Sequence, residues 1–581
     1  MAFRKKGEEK WRGEGAKTKN KESRPAVRKV RGGGVNLESE SEGEPVRLLK
    51  GTPQQEAVWH TLTNTGLNVI IKALAGTGKT TTVVQGLHRI GKTVIPGTKK
   101  TYSQGQVAFI AFNKSIAAEL ATKVPSWVRA CTCHSLMFSS LRQNVGNVEI
   151  NEDKTKKIIE DIVGGEQEYL RFRRQKPQVI PAVDKLVGLA KNTLVGYDVA
   201  SEYWKGVDED EVLSLAMKYS VDLNDSADDI CELVIEIVER SMDLRYCQYE
   251  IDFDDQLWLP VVKNYQLPQF DLLCVDECQD LNAVQQEAIL RMGNRLLLVG
   301  DENQAIYGFR GADIEAMRHM EDSLVEGAEV LPLTYTRRCP KTHVKLAQEI
   351  VPGFEAMDEA PEGMVLVEDE EVAELKLEGG DMVICRTNAP VVSMAFRLIA
   401  RNQRANIQGR DLGQGLLSLI KKLGGPNDSQ DVDVVLDRLV QYEEKEMRKL
   451  SNKKNPSEAA MEALRDKCQC VRAVCKDSQT IGEVRQKVFD LFKEVSGEQE
   501  RNFILLSSVH RAKGLEAEKV VILEHDKMRH PMAKNAAERQ QELNIKYVAL
   551  TRSRNTLVLC PTPESRKRPQ SKLRDGWPSD C

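Results

Sequence analysis

The segment A-L-A-G-T-G-K-T at residues 73–80 restricts the fold of this chain more than any other part of the sequence. It follows a β-rich apolar run at 69–72 and precedes a stretch with a helical pattern. Small residues in such a turn let backbone N–H groups close around phosphate oxygens, and the start of the next helix favours their negative charge. Because a phosphate-binding loop of this kind needs a strand before it and a helix after it, the segment predicts an α/β domain.

Short apolar runs rich in β-branched residues recur along the chain, and each ends in a small or polar loop. They form a first set at 69–72, 107–112, 270–275 and 295–299, and a second set at 330–333, 382–385, 503–507, 519–523 and 556–559. Helical patterns lie between them, for example at 115–123 and 341–350. This alternation predicts parallel sheets wrapped by helices, with ligands at the carboxyl ends of the strands.

Two long stretches, 140–250 and 424–497, interrupt this alternation because they are charged, mostly helical in pattern and poor in strands. A chain of 581 residues is too long for one core, so several domains are expected. We predict these parts in chain order: a charged tail at 1–44, a first α/β domain at 45–139 and 251–325 around the helical insertion 140–250, a second α/β domain at 326–423 and 498–560 around the helical insertion 424–497, and a C-terminal tail at 561–581.

Composition excludes several classes of protein. No apolar run approaches the roughly 20 residues needed to cross a bilayer, and the basic N-terminus lacks the apolar core of a signal peptide. The 13 cysteines have no repeated spacing, which is typical of reduced thiols. We therefore expect a protein of the cytoplasm or nucleus that is neither secreted nor in a membrane.

The net charge of -4 means that any nucleic-acid contact must come from local basic or aromatic surfaces. Residues 1–31 hold twelve Lys and Arg against four Glu. The favoured interpretation is a disordered, solvated tail, and a weak tether to nucleic acid is the alternative.

An acidic pair, Asp276 and Glu277, follows the apolar run F-D-L-L-C-V. With a phosphate loop upstream, Lys79 is predicted to reach the β- and γ-phosphates of ATP, while Thr80 and Asp276 hold Mg²⁺. Glu277 is suited to orient and deprotonate the attacking water. The competing interpretation, a solvated acidic turn, does not explain why a phosphate loop is also present.

Aromatic residues follow the next apolar run, in the segment L-L-L-V-G-D-E-N-Q-A-I-Y-G-F-R-G-A at 296–312. A lone aromatic usually packs in a core, but Phe309 lies between Gly308 and Arg310-Gly311, a poor setting for a core residue. Tyr307 and Phe309 therefore predict a surface on which nucleic-acid bases stack, beside the nucleotide site.

Taken together, a series of motifs resembles the UvrD/Rep-like superfamily 1A DNA helicases, with wording closest to the F-box DNA helicase branch. The motifs are T-P-Q-Q-E-A-V with Gln54, the phosphate loop, A-F-N-K-S-I-A at 111–117, T-C-H-S-L at 132–136, D-E-C-Q-D at 276–280, G-D-E-N-Q-A-I-Y-G-F-R-G-A at 300–312, L-T-Y-T-R-R-C-P at 333–340, S-S-V-H-R-A-K-G-L-E at 507–516 and Y-V-A-L-T-R-S-R at 547–554. The resemblance implies two RecA-like P-loop NTPase domains, each with a mainly helical insertion.

For the nucleotide, the resemblance implies that Gln54 reads adenine, Gln304 senses the γ-phosphate and Glu516 contacts ribose. Arg338 and Arg552 are expected to neutralise the γ-phosphate when the cleft between the domains closes. The loop residues expected around Mg²⁺-ATP are Ala75, Gly76, Thr77, Gly78, Lys79, Thr80 and Thr81.

For the nucleic acid, the resemblance implies binding of single-stranded and duplex DNA, with further proteins of replication or repair left unidentified. The expected DNA contacts are Phe112, Asn113, His134, Tyr307, Phe309, Arg310 and His510. The implied activity is an ATP-dependent DNA helicase that translocates 3′-to-5′ on single strands. A translocase that strips proteins from DNA, or an ATP-switched binding or loading factor, are the alternatives.

The sequence departs from the family pattern at three points, one of which is Phe309 at a strand-binding position that tryptophan often fills. Arg337 stands where the family usually has a tyrosine that stacks on adenine. The Arg337 guanidinium can also stack on the adenine ring, or nearby Tyr335 could take the place of the missing tyrosine. The second insertion is also much smaller than in the best-known members.

Overall fold

Two six-stranded sheets, in which all paired strands run parallel, form the framework of the protein. The computed structural model describes residues 48–562 and 565, except 220, 224–225, 309–314, 325–326, 453–457, 493–501 and 529–535. The strands are β1 (Asn68–Ala73), β2 (Val107–Ala111), β3 (Val128–Thr132), β4 (Glu149–Ile150), β5 (Tyr197–Asp198), β6 (Tyr203–Trp204), β7 (Glu250–Ile251), β8 (Leu272–Val275), β9 (Leu296–Gly300), β10 (Ala328–Leu333), β11 (Tyr335–Thr336), β12 (Glu355–Ala356), β13 (Met364–Val367), β14 (Met382–Cys385), β15 (Ala405–Ile407), β16 (Ile504–Ser508), β17 (Ala517–Leu523) and β18 (Ser553–Cys560).

The helices lie between these strands, as the alternation of patterns predicts. They are α1 (Pro53–Asn64), α2 (Lys79–Ile90), α3 (Lys114–Ala121), α4 (Cys133–Val145), α5 (Lys154–Val163), α6 (Glu166–Gln175), α7 (Val179–Asn192), α8 (Glu209–Lys218), α9 (Ala227–Ser241), α10 (Asp255–Val262), α11 (Ala283–Met292), α12 (Ala316–Ser323), α13 (Lys341–Ala347), α14 (Glu370–Leu375), α15 (Ala389–Ala400), α16 (Arg410–Gly424), α17 (Asp433–Ser451), α18 (Glu458–Cys475), α19 (Ile481–Leu491), α20 (Val509–Ala512) and α21 (Ala536–Leu550). No helix in the described ranges is both long and apolar enough to span a membrane.

The strand order is β10-β1-β9-β8-β2-β3 in the first sheet and β13-β18-β17-β14-β16-β15 in the second. The two parallel sheets confirm the predicted α/β fold class, with two RecA-like cores. Below, the first core means the first sheet with its flanking helices, and the second core means the second sheet with its own.

Within the two six-stranded sheets, the sequence patterns did not predict β3, β13 and β15, and all three lie at sheet edges. The short strands of the two-stranded pairs β4-β7, β5-β6 and β11-β12 were not predicted either. An edge strand is shielded on one side only, so its sequence need not be a continuous apolar run.

The strand β10 differs from the prediction in the domain to which it belongs. The predicted boundary between 325 and 326 assigned it to the second α/β domain, but it pairs with β1 at the edge of the first sheet. Its apolar pattern alone does not reveal which sheet it joins.

The helical stretches that interrupt the strands are packed onto the sheets. In the first core, Ile70 and Leu273 of the sheet belong to the same buried apolar cluster as Val234 of α9 and Trp258 of α10. Continuous apolar burial of this kind holds the helices firmly on the sheet.

The second core is built the same way. Val383 and Leu506 of the sheet share one apolar cluster with Leu416 of α16, Val435 of α17 and Val471 of α18. The opposite face of the first sheet is covered by α1, α2 and α3. On the other face of the second sheet, Ile384 and Ile522 share an apolar cluster with Val548 of α21. Each sheet is therefore buried on both faces, which leaves the carboxyl ends of its strands for ligands.

Candidate nucleotide site and nucleic-acid interface

The phosphate loop connects β1 to α2, as predicted. Gly76 and Gly78 have φ angles of 69° and 83°, values that glycine adopts without steric cost. A Cβ on Gly76 would lie 2.6 Å from the Cβ of Arg338, so the loop passes close to the segment that carries Arg338. No side chain caps the start of α2 at Gly78. A helix N-terminus without a side-chain cap, preceded by glycines, fits a bound phosphate.

Thr80 and Asp276 meet at the carboxyl end of the first sheet. The Thr80 hydroxyl donates a hydrogen bond of 2.7 Å to Asp276 Oδ2. Burial, together with the charge of Glu277, raises the pKa of Asp276 to about 6, and a nearby cation would offset both effects. Mg²⁺ prefers one or two protein oxygens plus phosphate oxygens. The residues present therefore fit the predicted Mg²⁺ site.

Glu277 is held in an unusual backbone conformation, with a φ of 55°. Such a conformation is costly for a residue other than glycine and is often found at functional sites. Its carboxylate accepts a 2.5 Å hydrogen bond from the side chain of Gln279 and lies 3.9 Å from Lys79 Nζ. Burial would raise the pKa of Glu277, but the charges of Lys79 and Lys513 lower it to about 2. Glu277 is thus a carboxylate near neutral pH, as a proton acceptor must be.

The two predicted arginines bind protein groups in this structure, and the charge of Arg552 interacts with that of Glu277. Arg338 forms an ion pair with Glu516, and Arg552, which is only 1% exposed, donates to the carbonyl of Val548 at 2.9 Å. Burial and the charge of Arg338 lower the pKa of Arg552 to about 10, while Glu277 opposes that shift. Their contact with the γ-phosphate stays a prediction.

The residues predicted to contact the base and ribose also have protein partners. Gln54 accepts a 2.8 Å hydrogen bond from the backbone N–H of Thr334 and donates at 2.9 Å to the Thr334 hydroxyl. Arg337 contacts the phosphate loop through its backbone, because its main-chain N–H donates to the Gly76 carbonyl at 2.9 Å. Glu516, expected at the ribose, pairs with Arg338. These roles stay predictions, although the phosphate-loop contact places Arg337 beside the nucleotide site.

Two residues of the second core contact the nucleotide site and were missed from the sequence. The Tyr547 hydroxyl accepts a 3.0 Å hydrogen bond from the N–H of Ala75 in the phosphate loop. Lys513 donates at 2.5 Å to Asp280 and at 2.7 Å to the carbonyl of Gln304. Both lie inside recognised motifs, which is the only sequence signal for them, since their partners are more than 200 residues away along the chain.

The first pair of aromatics on the expected DNA path combines two predicted residues. The rings of Phe112 and Tyr307 are 5.9 Å apart with an angle of 13° between their planes, and Phe112 is 51% exposed. The Tyr307 hydroxyl donates to the carbonyl of His510 at 3.0 Å, and the Lys513 ammonium lies 5.1 Å from the Tyr307 ring centre. The structure thus brings Phe112, Tyr307 and His510 together.

A second pair joins His134 to Phe253, which the sequence patterns did not single out. The two rings are 4.4 Å apart with an angle of 29°. Burial lowers the pKa of His134 to about 4, so the imidazole is neutral near pH 7. Phe253 remains 59% exposed. The sequence signal that could have identified it is a phenylalanine among the acidic residues of I-D-F-D-D.

The aromatic pairs do not include three other residues that were predicted to bind DNA. Asn113 caps α3, because its side chain accepts a 2.9 Å hydrogen bond from Ile116 N. Phe309 and Arg310 lie outside the described residues. All three remain predictions.

Comparison with protein families matches both halves of the chain to one family. The family model described as the UvrD/REP helicase N-terminal domain matches residues 52–324, and the UvrD-like helicase C-terminal domain matches residues 419–563. The chain belongs to the UvrD/Rep-like superfamily 1 helicases. Membership of this helicase family implies, in general, the use of ATP and Mg²⁺.

Individual relatives of this helicase are distant. F-box DNA helicase 1 of Gallus gallus is 24% identical over 89% of the chain and 49% of that protein. ATP-dependent DNA helicase PcrA of Staphylococcus epidermidis is 25% identical over 49% of the chain and 38% of that protein. PcrA of Staphylococcus aureus is 26% identical over 52% and 39%. The chain therefore spans less than half the length of each of these relatives.

One solved structure, the crystal structure of Arterivirus nonstructural protein 10 (helicase), can be aligned with this chain. The alignment covers 51% of this chain and 40% of the viral chain. With a TM-score of 0.23 and 12% identity, it carries no argument about the helicase fold.

Proposed function

We propose that the chain is an ATP-dependent DNA helicase that moves 3′-to-5′ along single-stranded DNA. It unwinds duplex by coupling ATP hydrolysis to closure of its two cores. The observation that carries this proposal is that both cores contribute to one nucleotide site. The phosphate loop and acidic pair belong to the first core. From the second core, Tyr547 contacts that loop and Lys513 contacts Asp280 in the turn after the acidic pair.

The first core supplies the groups that bind and activate. Bound Mg²⁺-ATP would supply a γ-phosphoryl group whose developing charge the metal helps to neutralise. Lys79 and the loop N–H groups bind the phosphates, and Thr80 with Asp276 would hold the metal. The ionised Glu277 orients the attacking water and accepts its proton.

The second core supplies charge neutralisation when the cleft closes. Arg338 would exchange Glu516 for the γ-phosphate, and Arg552 would add a second positive charge. Because these interactions require a γ-phosphate, hydrolysis weakens them and lets the cores relax. The polarity of the resulting movement is carried over from the family resemblance.

The aromatic pairs supply the grip on the strand. Phe112 with Tyr307, and His134 with Phe253, offer ring faces to unpaired bases on the first core. Stacking is worth roughly 1–3 kcal/mol per base and hardly depends on sequence. A motor that passes over every sequence needs this property.

Strand displacement from tailed duplexes tests the proposal. We expect ATP-dependent release of a labelled strand from a duplex with a 3′ single-stranded tail, and little release from one with a 5′ tail. Equal release, or release from the 5′-tailed duplex alone, would refute the polarity. Removal of streptavidin from a biotinylated strand without duplex unwinding would favour the protein-stripping translocase. Slow hydrolysis with neither outcome would favour the loading factor.

A further inference from the structure

The segment 302–307 follows the turn after β9 and carries two residues of the site. Gln304 is the expected sensor of the γ-phosphate, and Tyr307 stacks on Phe112. The segment thus links the nucleotide site to the first aromatic pair within six residues. A contact that fixes the position of this segment therefore affects both the nucleotide site and the first aromatic pair.

Side chains of α21 in the second core hold the backbone of this segment. Asn544 Nδ2 donates to the carbonyl of Glu302 at 3.1 Å and to that of Ala305 at 3.0 Å. Gln541 Nε2 donates to the carbonyl of Ile306 at 3.2 Å. One helix of the second core therefore binds three carbonyls of a short segment of the first core.

The same helix also contacts the phosphate loop. Gln541, Asn544 and Tyr547 are three residues apart, a spacing that places them on one face of α21. Tyr547 accepts the hydrogen bond from Ala75, and Arg552 lies two residues beyond the end of the helix. A shift of α21 that brings Arg552 to a γ-phosphate would therefore also act on the segment 302–307.

We propose that Asn544 is a positioning residue that couples the nucleotide state to the grip on DNA. Its double hydrogen bond makes the segment that carries Tyr307 move with α21. Asn544 is 1% exposed, and its Oδ1 accepts a 3.0 Å hydrogen bond from Gln540, which fixes the amide with its NH₂ group toward the two carbonyls. A buried amide held at both ends transmits displacement, whereas an alanine at this position cannot.

Asn544→Ala tests the coupling, measured as the ratio of two affinities. The affinity for fluorescein-labelled oligo-dT is measured by anisotropy with and without Mg²⁺-AMPPNP. Because this inference rests on the proposed function, the wild-type affinity should change between the two conditions, by about 5- to 150-fold for an ordinary allosteric coupling. Asn544→Ala should lower this ratio by about fivefold or more, because it removes two of the hydrogen bonds from the second core while Lys513 and Gln541 keep theirs. Its nucleotide-free affinity should stay within about threefold of wild type.

Two further variants complete the test. Arg539→Ala, at an exposed position of α21, serves as the matched control and should keep the wild-type ratio. Gln541→Ala removes the hydrogen bond to Ile306 and leaves the two that Asn544 donates, so it should lower the ratio by a smaller factor. It carries the test if circular dichroism shows that Asn544→Ala is unfolded. A purely structural role for Asn544 would weaken binding equally in both conditions.

The outcomes separate this inference from the proposed function. A folded Asn544→Ala with the wild-type ratio, or an unchanged Gln541→Ala where Asn544→Ala cannot fold, would overturn the role of Asn544. A wild-type ratio of unity would overturn it as well. Failure of the proposed function would appear instead in the wild type, as ATP hydrolysis that single-stranded DNA does not stimulate.

Discussion

The two sides of the nucleotide site hold their charged groups in different ways. In the first core, Lys79 lies 3.9 Å from Glu277 and the Thr80 hydroxyl donates a hydrogen bond to Asp276, so the groups proposed to react lie together beside the phosphate loop. In the second core, Arg338 is paired with Glu516. On the first side the charged groups contact one another, whereas on the second side Arg338 must leave Glu516 to reach a γ-phosphate.

This difference assigns different tasks to the two cores. Groups that are fixed in place can perform chemistry without further rearrangement. Groups that must first leave a protein partner respond to whether the cleft is closed, and they can act as a gate. Variants of the first core should therefore remove proton transfer, whereas variants of the second should remove the neutralisation of the γ-phosphate that closure brings.

The largest effect is expected from Arg338→Ala. Loss of an arginine that neutralises the γ-phosphate should lower kcat for ATP hydrolysis by about 10³-fold or more. Arg554→Ala is the matched control, because Arg554 also pairs with Glu516 but its side chain is 49% exposed and is not expected at the γ-phosphate. If both variants lose activity equally, Arg338 acts through Glu516 and the proposed gate is wrong.

Glu277→Gln should come next. The amide cannot accept a proton from water, so kcat should fall by about 10²-fold or more, while the affinity for a fluorescent ATP analogue stays near wild type. Retained hydrolysis would mean that the first core does not hold the catalytic base. Loss of nucleotide binding together with hydrolysis would instead assign Glu277 to binding.

Phe253→Ala sharpens the comparison on the nucleic-acid side of the first core. Removal of one stacking ring should weaken binding of single-stranded DNA by about 5- to 150-fold, as expected for 1–3 kcal/mol, without changing the ATPase rate measured without DNA. Tyr203→Ala removes an exposed aromatic, 67% exposed in β6, and should bind DNA normally. Unaltered DNA affinity in Phe253→Ala would remove the second aromatic pair from the path.

The smallest effect is expected from Tyr547→Phe. The substitution removes the acceptor for the Ala75 N–H, a hydrogen bond worth about 0.5–1.5 kcal/mol, so the KM for ATP should change by about 2- to 10-fold. Thermal melting measured alongside separates this effect from instability of the buried ring. A KM identical to wild type would mean that the contact between Tyr547 and the phosphate loop does not influence nucleotide binding.

The closeness of the residues on the first side can be predicted from the sequence for a physical reason. Lys79, Thr80, Asp276 and Glu277 each follow the end of a strand, and in a parallel sheet these ends meet at one edge. The strand pattern by itself therefore places these four residues close together. Fold class follows from the same alternation.

What the sequence could not predict depends on contacts between distant elements. Lys513 and Tyr547 act through partners more than 200 residues away, and no local pattern specifies such a pairing. Phe253 has no strand end to mark it, and its stacking on His134 depends on how the helical insertion packs. β10 similarly has an ordinary strand pattern, and only its pairing with β1 reveals that it belongs to the first sheet.

The central claim is that the two cores form one ATP site whose turnover responds to a DNA strand. The most direct test is the steady-state ATPase rate of the wild-type protein, measured across a titration of oligo-dT. The rate should rise in a saturable manner as the strand occupies the aromatic pairs and favours closure. A rate that is independent of the strand at every concentration would contradict the account.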